Sequence, residues 1–250
     1  MSKLKSRLAS LLALMVATLA TGAGPQPKPS LFVSYRVDLR RTTCQLYWKD
    51  DKNRRFQSLR GLKSWLDARG QKLLFAMNAG MFDAAYAPQG LFIQDGRTIK
   101  PLDTATGHGN FYLKPNGVFY LTTKGSARIC KTEDFLSTGA VTYATQSGPL
   151  LVIDGDIHPA FQPGSANVQI RNGVGILPDQ RLLLAMSKAP INFYDFANYF
   201  RRAGCRQALY LDGFVSRTYA PSQNWTQLDG DVGVMLGVTV PALPPGPAGH

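Results

Sequence analysis

Glutamate is almost absent from this 250-residue chain: of sixteen carboxylates, all but Glu133 are aspartates. Any acid/base pair must therefore be built largely from aspartates, whose shorter reach requires them to sit close to a substrate. Histidine is nearly as scarce. Only His108 and His158 lie inside the chain, the third being His250, which argues against a histidine-rich metal site. A serine triad would have to recruit one of these two, with no nucleophile turn to accompany it. Cys44, Cys130 and Cys205 show no paired C-x-x-C spacing, which argues against a cysteine-based zinc site. One disulfide with one remaining thiol is allowed, and a buried, inert thiol is the ordinary role for each. There is no G-x-S-x-G elbow, Walker loop, G-x-G-x-x-G after a strand or H-E-x-x-H helix. No cofactor is predicted, and metal assistance is left open.

Long apolar runs are missing too, except at the start. MSKLKSRLASLLALMVATLATGAG carries Lys3, Lys5 and Arg7 ahead of an apolar run from Leu8 to Ala20 and small residues to Ala23. This is the three-part layout of a secretory signal, and the run is short for a bilayer span of roughly 20 residues. The expectation is an export signal over residues 1–23, a linker over 24–31, one domain over 32–240 and a flexible tail over 241–250. The protein is then periplasmic or secreted, with no stable membrane insertion after cleavage. A chain of roughly 225 residues after cleavage suits one domain with a core of its own. The net charge of +12 stays strongly basic after Lys3, Lys5 and Arg7 are removed, and favours anionic partners.

Between the Pro- and Gly-rich ends the pattern is dense in short strands. LFVSYRVDL and CQLYW alternate as half-buried strands do, and QKLLFAMN and RLLLAMS are buried runs. LFIQDGRTIK, FYLKPNGVFYL and LLVIDGDI each read as a hairpin about a Gly-containing turn. Leu59, Leu62, Trp65 and Leu66 recur at helical spacing after Ser58, with Gly70 as a stop and Gly61 as a weakness. Phe193, Phe196, Ala197 and Phe200 mark a second helix ended by Gly204, and QALYLD after it passes into the sheet centre. The fold class predicted is α+β, a single domain on a mixed, mainly antiparallel sheet with hairpins and a few packed helices.

Polar residues at the ends of apolar runs are the candidates for function, because loops there are held rigidly yet open to solvent. FAMNAGMFD offers Asn78 and Asp83, TQSGPLLV offers Gln146 and Ser147, and QIRNGVGI sets Arg171 and Asn172 within a strand. A buried Arg171 needs either a salt bridge or an anion to bind. Asp83 could equally be a turn or capping residue, and Asp212-Gly213 in ALYLDGFVSRTY could be a plain hairpin turn.

In their order, NAGMFD, GNFYLKPNGVFYL, QSGPLLV, RNGVGI and ALYLDGFVS resemble the successive blocks of the phosphodiester glycosidase family, over about Tyr35 to Gly237. The likeness is to compact bacterial members in particular. Asn78, Gly80, Asp212, Gly213 and Ser216 match the family pattern. The chain has Asn78-Ala79-Gly80-Met81-Phe82 where many members have Asn-Gly-Gly-Phe-Phe, and Phe214-Val215 where they have two glycines. The bulkier loop bears on sugar identity more than on the reaction.

The resemblance implies an exported hydrolase acting on a sugar-1-phosphodiester or related anionic glycan. Asp212 and Asp83 would supply the carboxylates. Arg171 and Arg217 would hold phosphate, and Asn78, Gly80, Gln146, Ser147, Gly213 and Ser216 would line the substrate. A phosphate leaving group is a weak base, so a cation and hydrogen-bond donors can replace strong general-acid help. The competing class is a non-catalytic module that binds anionic cell-envelope polysaccharide. Nucleic acid is the weaker partner, because the basic residues of DLRRTTCQLYWKDDKNRR are interleaved with Asp and no recognised motif accompanies them.

Overall fold

The structure, a computed structural model, describes residues 30–213 and 215–242. The expected export signal, most of its linker, Phe214 and most of the expected tail lie outside the described residues. In chain order the elements are β1 (Phe32–Val37), β2 (Thr43–Tyr47), α1 (Leu59–Asp67), β3 (Gln71–Gly80), β4 (Phe92–Gln94) and β5 (Arg97–Lys100). They continue with β6 (Gly117–Thr122), β7 (Ala127–Lys131), β8 (Val141–Ser147), β9 (Leu150–Ile153), β10 (Asp156–Ile157), β11 (Asn172–Ile176) and β12 (Leu182–Ser187). The last are α2 (Phe193–Arg202), β13 (Gln207–Asp212), β14 (Thr218–Ala220), β15 (Trp225–Thr226) and β16 (Val234–Pro241).

The strands form three sheets, ordered β1-β12-β11-β13-β9-β10, β15-β14-β3-β16-β2 and β5-β4-β8-β6-β7. Their described ladders are antiparallel, giving the α+β, mainly antiparallel architecture that the strand pattern predicts. One apolar core joins all three sheets: Leu184 and Leu209 come from the first, Phe75 and Leu236 from the second, Phe92 and Phe119 from the third. Each helix covers the outer face of one sheet. On β13 the period of two is plain, with Leu209 and Leu211 in the shared core and Ala208 and Tyr210 facing the α2 layer.

The amphipathic pattern of α2 buries Phe193, Phe196, Ala197 and Phe200. Each buried phenylalanine contributes about 1.5–3 kcal/mol of transfer free energy. Asn192 caps the helix by accepting from the Asp195 N–H at 2.8 Å, and Arg201 and Arg202 complement its C-terminal dipole. In α1 the Ser58 hydroxyl caps the Gly61 N–H at 3.2 Å. Gly61 is a requirement rather than a weakness, since a Cβ there would meet the Phe56 carbonyl oxygen at 2.2 Å.

Two of the three expected hairpins form. Asp95-Gly96 joins β4 to β5 and Asp154-Gly155 joins β9 to β10, each pair with positive φ at both residues. The Pro115-Asn116-Gly117 hairpin does not form. There Asn116 donates from its side chain to the Phe111 carbonyl at 2.9 Å, and Gly117 begins β6. Asp212-Gly213 is not a hairpin turn either: β13 pairs with β11 and β9, whereas β14 pairs with β3 in another sheet. Among the described residues no helix is long and apolar enough to cross a membrane.

Candidate active site

The crossing from β13 to β14 is where the three sheets meet. Asp212 ends β13, Asn172 starts β11 beside it, Asn78 lies near the end of β3, and Ser147 ends β8. Between β11 and β13 the register slips, so that Asn172 faces Asp212 while Gly173 faces Tyr210. The extra residue is Leu211, and such a bulge re-aims the side chain that follows it.

Hydrogen bonds fix each group at this junction without ambiguity. The backbone N–H of Arg217 donates to Asn78 Oδ1 at 3.0 Å, so this side chain must turn its amide nitrogen the other way. That nitrogen donates to Asp212 Oδ2 at 2.9 Å. Asn172 accepts the Asp212 N–H on Oδ1 at 2.9 Å and donates from Nδ2 to Asn78 Oδ1 at 2.6 Å and to the Asn78 carbonyl at 3.0 Å. Both asparagines are wholly buried and Asp212 is 5 % exposed. A carboxylate so enclosed is tolerated where a neighbour such as Asn78 donates to it.

Ser147 and Ser216 bind the same stretch of chain. Ser147 donates to the Leu211 carbonyl at 2.8 Å, and Ser216 makes a longer contact of 3.4 Å with the Asp212 carbonyl. Gly80 and Gly213 are sites of close approach: a Cβ on Gly80 would lie 2.7 Å from Thr145 Oγ1, and one on Gly213 1.9 Å from the Tyr210 hydroxyl oxygen. The guanidinium of Arg217 turns outward, to Asp229 at 3.2 Å and to the Ser216 carbonyl at 3.1 Å.

Arg171 sits just ahead of β11 rather than within it and is wholly buried. No salt bridge holds it among the described residues. Its Nε donates to the Ile191 carbonyl at 2.8 Å and its Nη2 to the Asn167 carbonyl at 2.9 Å. The guanidinium carbon lies 3.5 Å from the centre of the Phe193 ring, a cation–π contact. Among the described residues its Nη1 has no hydrogen-bond partner. Burial draws its pKa down, yet a guanidinium stays charged at any working pH.

Two expected site residues are engaged elsewhere. Gln146 accepts from the N–H groups of Leu91 and Asp103 at 3.0 and 2.9 Å and donates to the Asp103 carbonyl at 2.6 Å, which pins two loops together. Asp83 caps its own turn by accepting from Ala85 and Ala87 at 2.9 and 3.0 Å, and pairs with Lys100 at 3.6 Å on the surface. The backbone donors, Ala87 first, hold its pKa below the ordinary carboxylate value. Asn172, which adjoined Arg171 in sequence without a role of its own, is the residue that orients both Asn78 and Asp212. Only its apolar strand context hinted at this, since a buried amide needs partners.

A cavity of about 650 Å³ lies elsewhere, lined among others by Phe32, Arg36, Tyr199 and Arg202. Its one carboxylate, Asp195, is committed to the cap of α2, so the oriented Asp212 is the better candidate for chemistry. Among the described residues no three His, Cys, Asp or Glu side chains cluster in a way that could hold a metal ion. The three thiols are unpaired, and burial pushes those of Cys44 and Cys205 up to about 12 and that of Cys130 up to about 11.

A family model described as phosphodiester glycosidase matches residues 71–239, a span that holds every residue of this junction. The chain belongs to the phosphodiester glycosidase family. It is 36% identical over 193 residues to the uncharacterized protein YigE of Escherichia coli (strain K12), covering 76% of this chain and 75% of that one. Among solved structures it is similar in fold to the zebrafish N-acetylglucosamine-1-phosphodiester alpha-N-acetylglucosaminidase catalytic domain auto-inhibited by its pro-peptide. That match has a TM-score of 0.55, 13% identity and 85% coverage of each chain. The protein BPSS2145 of Burkholderia pseudomallei K96243 is similar at a TM-score of 0.52 and 11% identity, with 83% of this chain and 73% of that one covered.

Proposed function

We propose that this member of the phosphodiester glycosidase family is an exported hydrolase that cleaves the bond between a sugar and a phosphodiester, with Asp212 as its central carboxylate. The observation that carries this reading is the orientation of Asp212 by Asn78 and Asn172 where the three sheets meet. A carboxylate with one oxygen tied by an amide is held at a defined angle, as a base for water or a nucleophile requires. Arg171 supplies the positive charge for the phosphate: among the described residues it is a cation with no carboxylate partner and no hydrogen-bond partner for its Nη1. Ser147, Ser216, Gly80 and Gly213 shape the wall beside Asp212, and Gln146 fixes the loops behind it.

Asp83 is the second carboxylate in this proposal. Its lowered pKa keeps it ionised, which does not suit a general acid and leaves it a weak base. Such an acid is dispensable when the group expelled is a phosphate. The anionic partner favoured is a sugar phosphodiester or related glycan rather than nucleic acid. In the basic segment Arg40 pairs with Asp38 and Arg54 with Asp50, which leaves less unpaired charge for a phosphate backbone.

The test is to incubate the purified mature chain with a panel of methyl esters of sugar-1-phosphates and to assay reducing sugar. Release from at least one is expected. Folded protein that binds an anionic glycan yet releases no sugar would instead be a non-catalytic polysaccharide-binding module.

A further inference from the structure

Tyr210 stands on the strand that ends in Asp212, beside the hydrogen bonds that fix it. It stands two residues before Asp212 on β13 and is 2 % exposed, with its ring edge-on to Phe193 at 4.9 Å between centroids. The phenol reaches past that layer. Its oxygen lies where a Cβ on Gly213 would be only 1.9 Å away, so it reaches the backbone that directly follows Asp212. Arg171 stands close by, its guanidinium carbon 5.6 Å from the centre of the Tyr210 ring, and among the described residues its buried Nη1 has no hydrogen-bond partner.

We propose that Tyr210 is a further catalytic residue, whose hydroxyl donates a hydrogen bond to the phosphate oxygen that leaves the sugar while Arg171 places positive charge behind it. This rests on the phosphodiester glycosidase reading of the site. In the reaction the bond from the sugar C1 to the phosphate oxygen breaks, and its electron pair stays on that oxygen. A water oxygen bonds to C1, and the proton it loses is taken up at Asp212 and passed to solvent. The products are a free sugar and a phosphate monoester, and Tyr210 keeps its own proton throughout.

The phenol suits this role on two counts. Burial, and the Asp212 charge after it, raise its pKa above the ordinary tyrosine value, so it is a donor at every working pH. Arg171 stands against the phenol, so in this arrangement its charge acts through it. A donor aimed at developing charge in a dry site acts on kcat more than on KM.

Tyr210→Phe keeps the ring against Phe193 and removes one oxygen. Assayed beside the wild type on the methyl esters of sugar-1-phosphates, it is expected to lose at least tenfold in kcat with less than a threefold change in KM and an unchanged circular dichroism spectrum. An active wild type with a Tyr210→Phe variant within twofold of its kcat would overturn the role of Tyr210 alone. A wild type that releases no sugar from any ester would overturn the hydrolase reading and this one with it.

Discussion

Asn78 and Asp212, 134 positions apart in sequence, meet through an amide-to-carboxylate hydrogen bond of 2.9 Å in the interior of the protein. Because Asn78 Oδ1 already accepts from the Arg217 N–H and from Asn172, its amide cannot turn around. The oxygen of Asp212 that faces it must accept, a demand that an ionised carboxylate meets best.

Asn78→Asp would therefore bring two carboxylates to hydrogen-bonding distance. Two such groups cannot both ionise easily, so the pair retains a proton to higher pH. If ionised Asp212 is the working form, the acid limb of the pH–activity profile moves upward by a unit or more. A variant with an unmoved acid limb would show that Asp212 is not the group titrated.

Gly213→Ala adds a methyl group against the Tyr210 hydroxyl and only 3.0 Å from the Ile170 carbonyl. Overpacking of this kind costs about 1–3 kcal/mol, read as a lower melting temperature and denaturation midpoint. Adding Tyr210→Phe removes the nearer of the two atoms, and the double variant should regain part of the loss. Strictly additive losses would place the clash elsewhere.

His158 is buried, with Nδ1 accepting from the Ala160 N–H at 3.1 Å and, among the described residues, no hydrogen-bond partner for Nε2. Burial pulls its pKa below the ordinary 6.5. From that value downward to the folded pKa, the unfolded chain binds a proton that the folded chain refuses, so stability rises with pH across this window and falls as pH drops. His158→Phe keeps a ring stacked on Phe161 and removes the linkage. Between pH 7 and 5 the wild type should lose more melting temperature than the variant, and equal losses would contradict the assignment.

The elements that the sequence makes legible are those decided locally. The helical spacing of Phe193, Phe196 and Phe200 and the Asp-Gly turns at 95–96 and 154–155 need only near neighbours, and they form where the pattern places them. Local pattern misleads where distant contacts decide. Gly61 looks costly until the Phe56 carbonyl is known to lie against it, and Asp212-Gly213 looks like a hairpin until the strand after it joins another sheet. The salt bridge considered for Arg171 does not form because backbone carbonyls and the Phe193 ring hold it instead. Gln146 lies next to the end of β8, but its partners, Leu91 and Asp103, come from loops whose approach no local pattern encodes. Asn78, Asp212 and Ser216 are singled out by the order of their sequence blocks. That order records which strand ends converge, though not which hydrogen bonds they make.

The central claim is that Asp212 performs the chemistry, and release of reducing sugar by Asp212→Asn on the best methyl ester of a sugar-1-phosphate tests it most directly. Asparagine offers Asn78 the same acceptor, so the variant should fold. The expected result is a fall in kcat of at least about a hundredfold, within the range that a positioned base or nucleophile supplies. Asp83→Asn, made alongside, should fall less, since Asp83 lies on the surface and caps its own turn. An Asp212→Asn variant that releases sugar at the wild-type rate would contradict the account.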